Sequence, residues 1–471
     1  MYMGVMFALT TLLVIAFIAS IFGGLAYTPL SIVSGAALFV VTCLIANYVL
    51  GYVFKVKPQY QSAIISGLIL SFLFTPPSEA RDYLVISMIA VIAMASKYLL
   101  AWRGRHIFNP AAVAAVIIAC TGVAAASWWV ATPILLVPVI LFGTFTLYRT
   151  HRLAMGYLYI FVALAVSLLV TAVQGSISLE TTWMVIASYP ILFLAFFMLT
   201  EPLTQAPRNW QRNSIAVAIA ALASSQLLVG TVLITPEIAL IIGNIIAFLF
   251  GQKGATKLRF VDKHKYGNGQ VEYRFVPLRP LRFEAGQYIE LSLPHKHTDM
   301  RGMRRMFSIA SGEDAEVIQI VTRHSTPSSS FKAALDTLKQ DDIVPATGVY
   351  GDFVLPKDNT DKLAFLAGGI GITPFLSHLA NLTATRDIVL LYFIRNEADI
   401  VRKDELRKAE AQGVKVIFIQ DQTIADALEK HVNDGVDRVF YVSGAPGFVD
   451  TAKLTLKNRS KKVVTDYFSG Y

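Results

Sequence analysis

Two glycine-rich strand ends hold the residues of this chain best suited to chemistry. In Leu366-Ala-Gly-Gly-Ile-Gly-Ile-Thr-Pro-Phe375, an apolar run stops at glycines and a new apolar segment starts at once. That order predicts strand, turn and helix. Gly368, Gly369 and Gly371 strip Cβ atoms from the turn, so a diphosphate can meet bare backbone amides. The helix opening at Thr373-Pro374 turns its unpaired N–H groups and positive dipole end to the same anion. A Gly-x-Gly alone is also an ordinary tight turn. The second strand end, Phe440-Tyr-Val-Ser-Gly-Ala-Pro-Gly447, follows about seventy residues later, at α/β spacing.

The elements that must position these loops fall into a soluble half. Residues 358–471 alternate strand and helix, as in a doubly wound parallel sheet that binds NAD(P). Residues 254–357 alternate short strands with turns, at Val271–Val276, Tyr288–Leu293 and Val317–Thr322, the pattern of an antiparallel β-barrel. The linker Gly251-Gln-Lys-Gly-Ala-Thr256 is short, and predicts a soluble half held against the membrane face.

Residues 1–253 read as a polytopic α-helical membrane domain. Apolar residues make up 55% of the chain and charged residues 15%, and nearly all the charge follows residue 250. Ten stretches of spanning length are expected, at about 4–23, 29–50, 61–75, 82–101, 109–126, 128–147, 153–173, 184–200, 213–229 and 233–250. The third ends at Thr75-Pro76-Pro77 and is expected to be broken or re-entrant. The first has no basic leader and no small-residue cleavage site, so it reads as an anchor.

Alternate loops carry Lys55 and Lys57, Arg103 and Arg105, Arg149 and Arg152, Arg208 and Arg212, then Lys253 and Lys257; the opposite loops carry only Arg81. Positive loops stay inside. A multi-pass protein of the cell membrane is expected, with both termini and the soluble half cytoplasmic. The net charge of +9 follows largely from this bias. No aromatic interleaving marks a nucleic-acid binder.

Two cysteines, Cys43 and Cys120, both fall in expected spans. They exclude a disulfide framework in the soluble half and a four-cysteine iron–sulfur module. Their ordinary role is buried apolar filling. A homodimer bringing four thiols together is the other reading, with a 2Fe-2S cluster inside the membrane.

The soluble half resembles the ferredoxin–NADP reductase flavoproteins along its whole length. Gly286-Gln287-Tyr288 looks like their GQY turn, and Arg305-Met306-Phe307-Ser308 like their R-x-Y-S flavin motif, with phenylalanine in the tyrosine position. Gly348-x-x-Gly351-x-Phe353 is similar to their barrel closure. Gly368 to Pro374 matches their nicotinamide-dinucleotide loop. Ser443-Gly444-Ala-Pro446 resembles their C-G-P-P signature, with serine replacing cysteine. The resemblance implies FAD and NADPH or NADH as cofactors. It implies Arg305 on the FAD diphosphate, Phe307 stacked on the isoalloxazine ring, and Ser308 near N5, the hydride-accepting atom. Ser308 and Ser443 are the implied catalytic pair. Gln287, Tyr288, Met306 and Gly444 join the cofactor site, and the tail aromatics Phe468 and Tyr471 lie against the flavin. Ser329 or Ser330 can cap the following helix and meet phosphate. Arg395 offers a partner for a 2′-phosphate and Glu397 one for a ribose hydroxyl, which leaves NADH and NADPH both open.

The membrane half resembles the B subunit of the sodium-pumping NADH:quinone reductase and the D subunit of the Rnf complex. The resemblance rests on Ser62-Ala-Ile-Ile-Ser-Gly-Leu-Ile-Leu70, Lys97, Phe108-Asn-Pro-Ala-Ala112 and Phe196-Phe-Met-Leu-Thr-Glu-Pro202. It implies two inverted five-helix halves, with helix breaks at Leu73–Pro77 and Met198–Pro202. Those subunits carry FMN on a threonine; here Ile191 stands in its place, and an isoleucine makes no phosphoester. Non-covalent FMN or riboflavin, or a quinone, is expected near Asn109 and Glu201. Asn109-Pro110 also reads simply as a helix start.

The implied function is a membrane NAD(P)H:acceptor oxidoreductase, passing hydride to FAD and electrons on to a flavin or quinone. A haem oxidase needs stacked histidines within spans, yet His106 and His151 fall in charged loops, where they read as phosphate-facing or solvated. A transporter regulated by an NAD(P)H-reducible domain is the alternative. No Asp, Glu or Lys is expected mid-span, so ion movement has no evident carrier.

Overall fold

Long apolar runs take the helical form because it satisfies backbone hydrogen bonds from within. The computed structural model describes every residue except 1, 57, 104, 252–254, 297, 300, 301, 326, 357, 383–385 and 468–471. The chain divides into two compact units near Gly254 and Ala255. The first holds helices α1 (Tyr2–Ile21), α2 (Pro29–Val53), α3 (Tyr60–Leu73), α4 (Ala80–Leu99), α5 (Pro110–Cys120), α6 (Pro133–Arg149), α7 (Leu153–Val173), α8 (Leu179–Ser188), α9 (Ile191–Phe193), α10 (Asn209–Ser224) and α11 (Pro236–Phe250). A two-stranded pair, β1 (Ala101–Trp102) with β2 (Arg105–His106), follows α4; another, β3 (Leu228–Val229) with β4 (Val232–Leu233), follows α10.

Five helical stretches are long and apolar enough to cross a membrane: α1, α2, α4, α7 and the run Leu179–Met198. The expected spans 61–75, 109–126, 128–147 and 233–250 are shorter helices, α3, α5, α6 and α11. Proline and glycine account for the shortening. Helix α3 stops at Leu73, where Phe74 turns extended before Thr75-Pro76-Pro77, because the residue before a proline is driven out of the helical region. Helix α5 stops at Cys120 ahead of Gly122, which takes a positive φ of 69°. Beyond Tyr189-Pro190 the chain re-enters helix in α9 and widens into a π-helical turn, Leu194–Met198.

The order of features repeats. The third helical run of each five ends in a proline break, at Leu73–Pro77 and at Met198–Pro202. The fifth helix of each starts on proline, capped by Asn109 in α5 and by Thr235 in α11. Helix α1 packs on α6, and α5 on α11.

The second unit contains two sheets. The six-stranded antiparallel sheet comprises β5 (Thr256–Lys265), β6 (Gln270–Pro277), β7 (Tyr288–Ser292), β8 (Arg304–Ser308), β9 (Ile318–Arg323) and β10 (Ile343–Tyr350). Its order is β8-β7-β10-β5-β6-β9, and an isolated bridge from Ile309 to Ile320 joins the outer strands. Alternate residues such as Phe275, Ile289, Leu291 and Ile320 fill its core, with Phe331 and Leu335 of α12 (Ser330–Asp336).

The parallel sheet runs β13-β12-β11-β14-β15, from β11 (Lys362–Gly368), β12 (Ile388–Phe393), β13 (Lys415–Ile419), β14 (Arg438–Gly444) and β15 (Lys462–Tyr467). Its connections pass through α13 (Thr373–Ala380), α14 (Lys403–Ala411), α15 (Ile424–His431) and α16 (Pro446–Leu456). Leu363, Phe365 and Ala367 face one buried layer and Ala364 and Leu366 the other, so both faces are covered. The chain starts in the middle, at β11, moves one way to β13, then crosses to β14. That reversal puts the binding crevice at the carboxyl ends of β11 and β14.

The two sheets are joined within this unit by buried polar contacts. Ser377 Oγ donates to the Ser311 carbonyl at 2.7 Å, Tyr441 Oη to Val354 at 2.8 Å, and His378 Nε2 to Phe353 at 2.9 Å. Burial holds His378 down to about 3, so its ring is neutral.

Candidate functional site

Strands β11 and β14 end side by side, with Ala367 in register with Ser443. The turn after β11 is a short 3-10 segment, Gly369–Ile372, running straight into α13. Its glycines do different work. Gly369 has φ 55° and open space where a Cβ would point. Gly371 packs on β14, where a Cβ would sit 2.1 Å from the Ser443 carbonyl oxygen. The phosphate approach expected at Gly371 is therefore corrected: its missing side chain lets two backbones touch, and Gly369 is the open one. At Gly368 and Gly444 a Cβ would crowd the Phe448 ring, at 2.8 and 3.0 Å. Thr373 is buried, with its hydroxyl on the Ile370 carbonyl at 3.1 Å, so its oxygen locks the turn; Pro374 is buried beside it.

Ser443 is fully buried, and its hydroxyl has no hydrogen-bond partner among the described residues. Its register partner on β15 is Asp466. Asp466 in turn accepts a hydrogen bond from Ser308 Oγ at 3.4 Å. Burial pushes the Asp466 carboxyl up to about 6, with the Ser308 hydroxyl opposing the shift. The flavin motif, the β14 end and the last strand thus meet at Ser308, Asp466 and Ser443. Sequence reasoning missed Asp466, although it lies only two residues before Phe468. Phe468 and Tyr471 lie outside the described residues.

Strand alternation sorts the rest of the motif. Arg305 is held by Asp299, with Nη2 donating to both carboxylate oxygens at 2.8 and 3.0 Å, and its guanidinium lies 5.4 Å over the Phe331 ring. Met306 is exposed. Phe307 points the other way, into the sheet core, with its ring 5.9 Å from Phe331. Arg305 and Phe307, two residues apart, share the strand face that meets the Phe331 ring. Gln287 Nε2 donates to Gly351 at 3.2 Å and its Oε1 accepts from Glu284 N at 2.9 Å, bracing the GQY turn. The Tyr288 ring leans on Tyr350, 6.0 Å between centroids. Ser329 caps α12 through the Lys332 amide at 3.3 Å. Ser330 Oγ is engaged by His295 and by the Asp299 amide, both at 3.0 Å. Arg395 and Glu397 both stand exposed beyond the end of β12.

In the first unit, Asn109 and Glu201 meet. Asn109 Oδ1 accepts from the amides of Ala111 and Ala112 at 3.0 and 3.1 Å; its Nδ2 donates to Glu201 Oε2 at 3.0 Å. Its own amide donates to Asn244 Oδ1 on α11 at 2.8 Å. Glu201 Oε1 lies 2.8 Å from His106 Nε2. His106 is buried, which corrects the solvated-loop reading: the β1–β2 pair folds it inward. Arg105 clamps the Leu203 and Gln205 carbonyls at 2.7 and 3.2 Å. Lys97, in the last turn of α4, donates to the Ser62 carbonyl, Ser62 Oγ and Ser66 Oγ at 3.1, 3.0 and 2.9 Å. Ser62, Ser66, Asn109, Thr200 and Glu201 line a cavity of about 50 Å³ together with Val5, Ile65, Ile69 and Phe197.

The opposite helix break is filled by rings. Trp129 Nε1 donates to the Ser71 carbonyl at 2.7 Å and Trp128 Nε1 to Glu237 at 2.6 Å. Phe72 packs between Trp129 and Phe193, 5.5 Å from each. Cys43 is wholly buried between α2 and α4, while Cys120 is exposed at the end of α5. No cluster of three metal-ligating side chains occurs among the described residues.

Residues 365–453 match the oxidoreductase NAD-binding domain family. The chain is 26% identical over 207 residues to the reductase component of propane 2-monooxygenase from Mycolicibacterium goodii, covering 39% of this chain and 58% of that one. It is 33% identical over 129 residues to the reductase subunit of an aromatic O-demethylase from an Amycolatopsis species, covering 26% and 37%. It is 26% identical over 227 residues to NADH-cytochrome b5 reductase 1 of Emericella nidulans, covering 42% and 73%. The chain thus spans about half the length of several of these relatives. Residues 365–453 thus match an oxidoreductase NAD-binding domain, and the C-terminal part of the chain is similar to the reductase components named above.

Proposed function

We propose that the chain takes hydride from NAD(P)H at the β11–β14 crevice and delivers the electrons to a flavin or quinone in its membrane-type helical unit. The observation that carries the first step is the meeting of Ser308, Asp466 and Ser443, with one buried hydroxyl left without a partner among the described residues. A buried hydroxyl without a partner costs about 1–3 kcal/mol, and a nicotinamide or flavin edge would relieve it. FAD, when bound, supplies the hydride acceptor.

The chain's own residues then have defined tasks. Arg305 would hold the diphosphate by exchanging its Asp299 partner for phosphate oxygens, an exchange its planar fork suits. Gly369 would admit nucleotide phosphate to the backbone, and the α13 dipole would favour it. Asp466, titrating near 6, can hold or release a proton beside Ser308 at ordinary pH. Arg395 and Glu397 offer the 2′-phosphate and ribose contacts that separate NADPH from NADH.

For the membrane step, the support is the repeated order of proline breaks and proline-started helices, with a mixed polar and apolar cavity at one break. The proposal includes residues 1–253 as the acceptor domain, 254–357 as a barrel holding FAD and 358–471 as the nucleotide domain. The test is anaerobic reduction of the intact protein with NAD(P)H, counting electrons. Uptake beyond the two that one FAD accepts is expected. Uptake of two alone, with no further flavin or quinone reduced, would leave the helical unit an anchor or a transporter.

A further inference from the structure

Glu201 sits where a carboxylate is expensive unless compensated, and its surroundings suit proton exchange better than simple capping. Each oxygen has one partner, His106 on Oε1 and Asn109 on Oε2, and Asn109 already caps α5 with its other atom. The carboxylate faces the same cavity as Ser62 and Ser66, the two serines that hold the Lys97 ammonium. That ammonium has only neutral oxygens as hydrogen-bond partners, so Glu201 is its nearby countercharge. A volume of about 50 Å³ has room for one or two waters at about 30 Å³ each, and the site supplies the polar partners they need. Ser62, Pro110, Thr150 and Pro202, which line the cavity, lie at helix ends that adjoin the basic loops.

We infer that Glu201 is the proton donor of the membrane half, exchanging with water on the basic-loop side and serving a quinone-class acceptor. The inference rests on the electron path proposed above. The balance is NAD(P)H + H⁺ + quinone → NAD(P)⁺ + quinol. The two electrons leave with the hydride; of the two quinol protons, one equals the proton the hydride releases and one is drawn from bulk water. At the donor step the Glu201 O–H bond breaks as a quinone O–H forms, and cavity water restores the proton to the carboxylate. His106 shares that proton across 2.8 Å. Lys97 from α4, Tyr2 from α1, Arg105 from the β1–β2 pair and Arg152 beside Gln205 are the other charged or titratable groups around it. Arg105 and Arg152 are tied to the 203–205 segment and set a constant positive field.

The test uses the full chain in detergent with a short-tailed benzoquinone, and with ferricyanide, which takes electrons without protons. The quinone rate divided by the ferricyanide rate of the same preparation should fall at least tenfold in Glu201→Gln, and the pH profile of quinone reduction should flatten. Redox-difference infrared spectra of the unmodified protein should show a carboxyl band that responds to reduction and shifts in heavy water. An unchanged rate ratio and pH profile in Glu201→Gln would overturn the assignment alone. Absence of any redox-linked carboxyl band in the unmodified protein would overturn it whether or not the variant folds. Failure of the unmodified protein to reduce quinone while it reduces ferricyanide would overturn this assignment, and anaerobic uptake of only two electrons would overturn the electron path beneath it as well.

Discussion

The Ser308 hydroxyl donates to the Asp466 carboxylate at 3.4 Å, tying the strand that carries the flavin motif to the last strand of the chain. Burial raises the Asp466 carboxyl from 3.8 to about 6. The folded protein therefore binds more protons than the unfolded chain between those values, and stability falls as pH rises through that window. At about 1.4 kcal/mol per pKa unit the loss reaches at most about 3 kcal/mol, less where solvent reaches the part-buried residue. Asp466→Asn should remove the fall and make the soluble half more stable at pH 7, read by denaturant unfolding at pH 4 and pH 7. The same variant should flatten the pH profile of hydride transfer near pH 6.

Arg305 is already paired, and that sets the size of its effect. Arg305→Ala should weaken FAD binding by about 1.5–3 kcal/mol, the worth of a charge-assisted pair, or roughly tenfold to more than a hundredfold. Asp299→Asn should not weaken it, because it frees the guanidinium. Flavin fluorescence on titration measures both; full flavin occupancy in Arg305→Ala would refute the assignment.

Gly369 and Gly371 should separate cleanly. Gly369→Ala meets no atom within 4 Å, at a positive φ that costs about 1–2 kcal/mol. It should keep FAD and raise the KM for NAD(P)H severalfold. Gly371→Val drives a side chain into the Ser443 backbone and should lower Tm by many degrees. Stopped-flow reduction and calorimetry tell the two apart; a normal KM in Gly369→Ala would make that loop a plain turn.

Asn109→Ala should destabilise the helical unit by about 2–4 kcal/mol. It removes a cap worth about 0.5–2 kcal/mol and strips the half-buried Glu201 carboxylate of one partner. Thermal unfolding in detergent checks this, and an unchanged midpoint would show that Glu201 is satisfied without it.

What the sequence disclosed follows from how local each signal is. The order strand, glycines, helix at Leu366–Phe375 is a neighbour-to-neighbour pattern, and it folds as read. The break at Thr75-Pro76-Pro77 was equally legible, because proline acts on its own backbone. A motif gives residue order but not neighbours: that Arg305 pairs with Asp299, and that Arg305 and Phe307 both lie on Phe331, comes from residues the motif does not contain. Gly371 was misread for a related reason, since its crowding comes from Ser443, distant in sequence. His106 looked solvated beside Arg103 and Arg105, and only the β1–β2 pair turns it onto Glu201. Pairings such as Asn109 with Asn244 leave no trace in composition.

The unlike filling of the two helix breaks has an electrical consequence. One break opens on a polar cavity, while the other is stopped by Trp128, Trp129, Phe72 and Phe193. In a membrane, voltage falls mainly across dry, poorly polarisable layers, and moving one charge through that drop is worth about 2.3 kcal/mol per 100 mV. A proton entering the polar cavity reaches Glu201 without crossing the aromatic layer. If the electrons also arrive from the basic-loop side, no net charge traverses the bilayer. The reaction is then electroneutral: it consumes reducing power without charging the membrane, and the aromatic stopper keeps it from short-circuiting a gradient built by others.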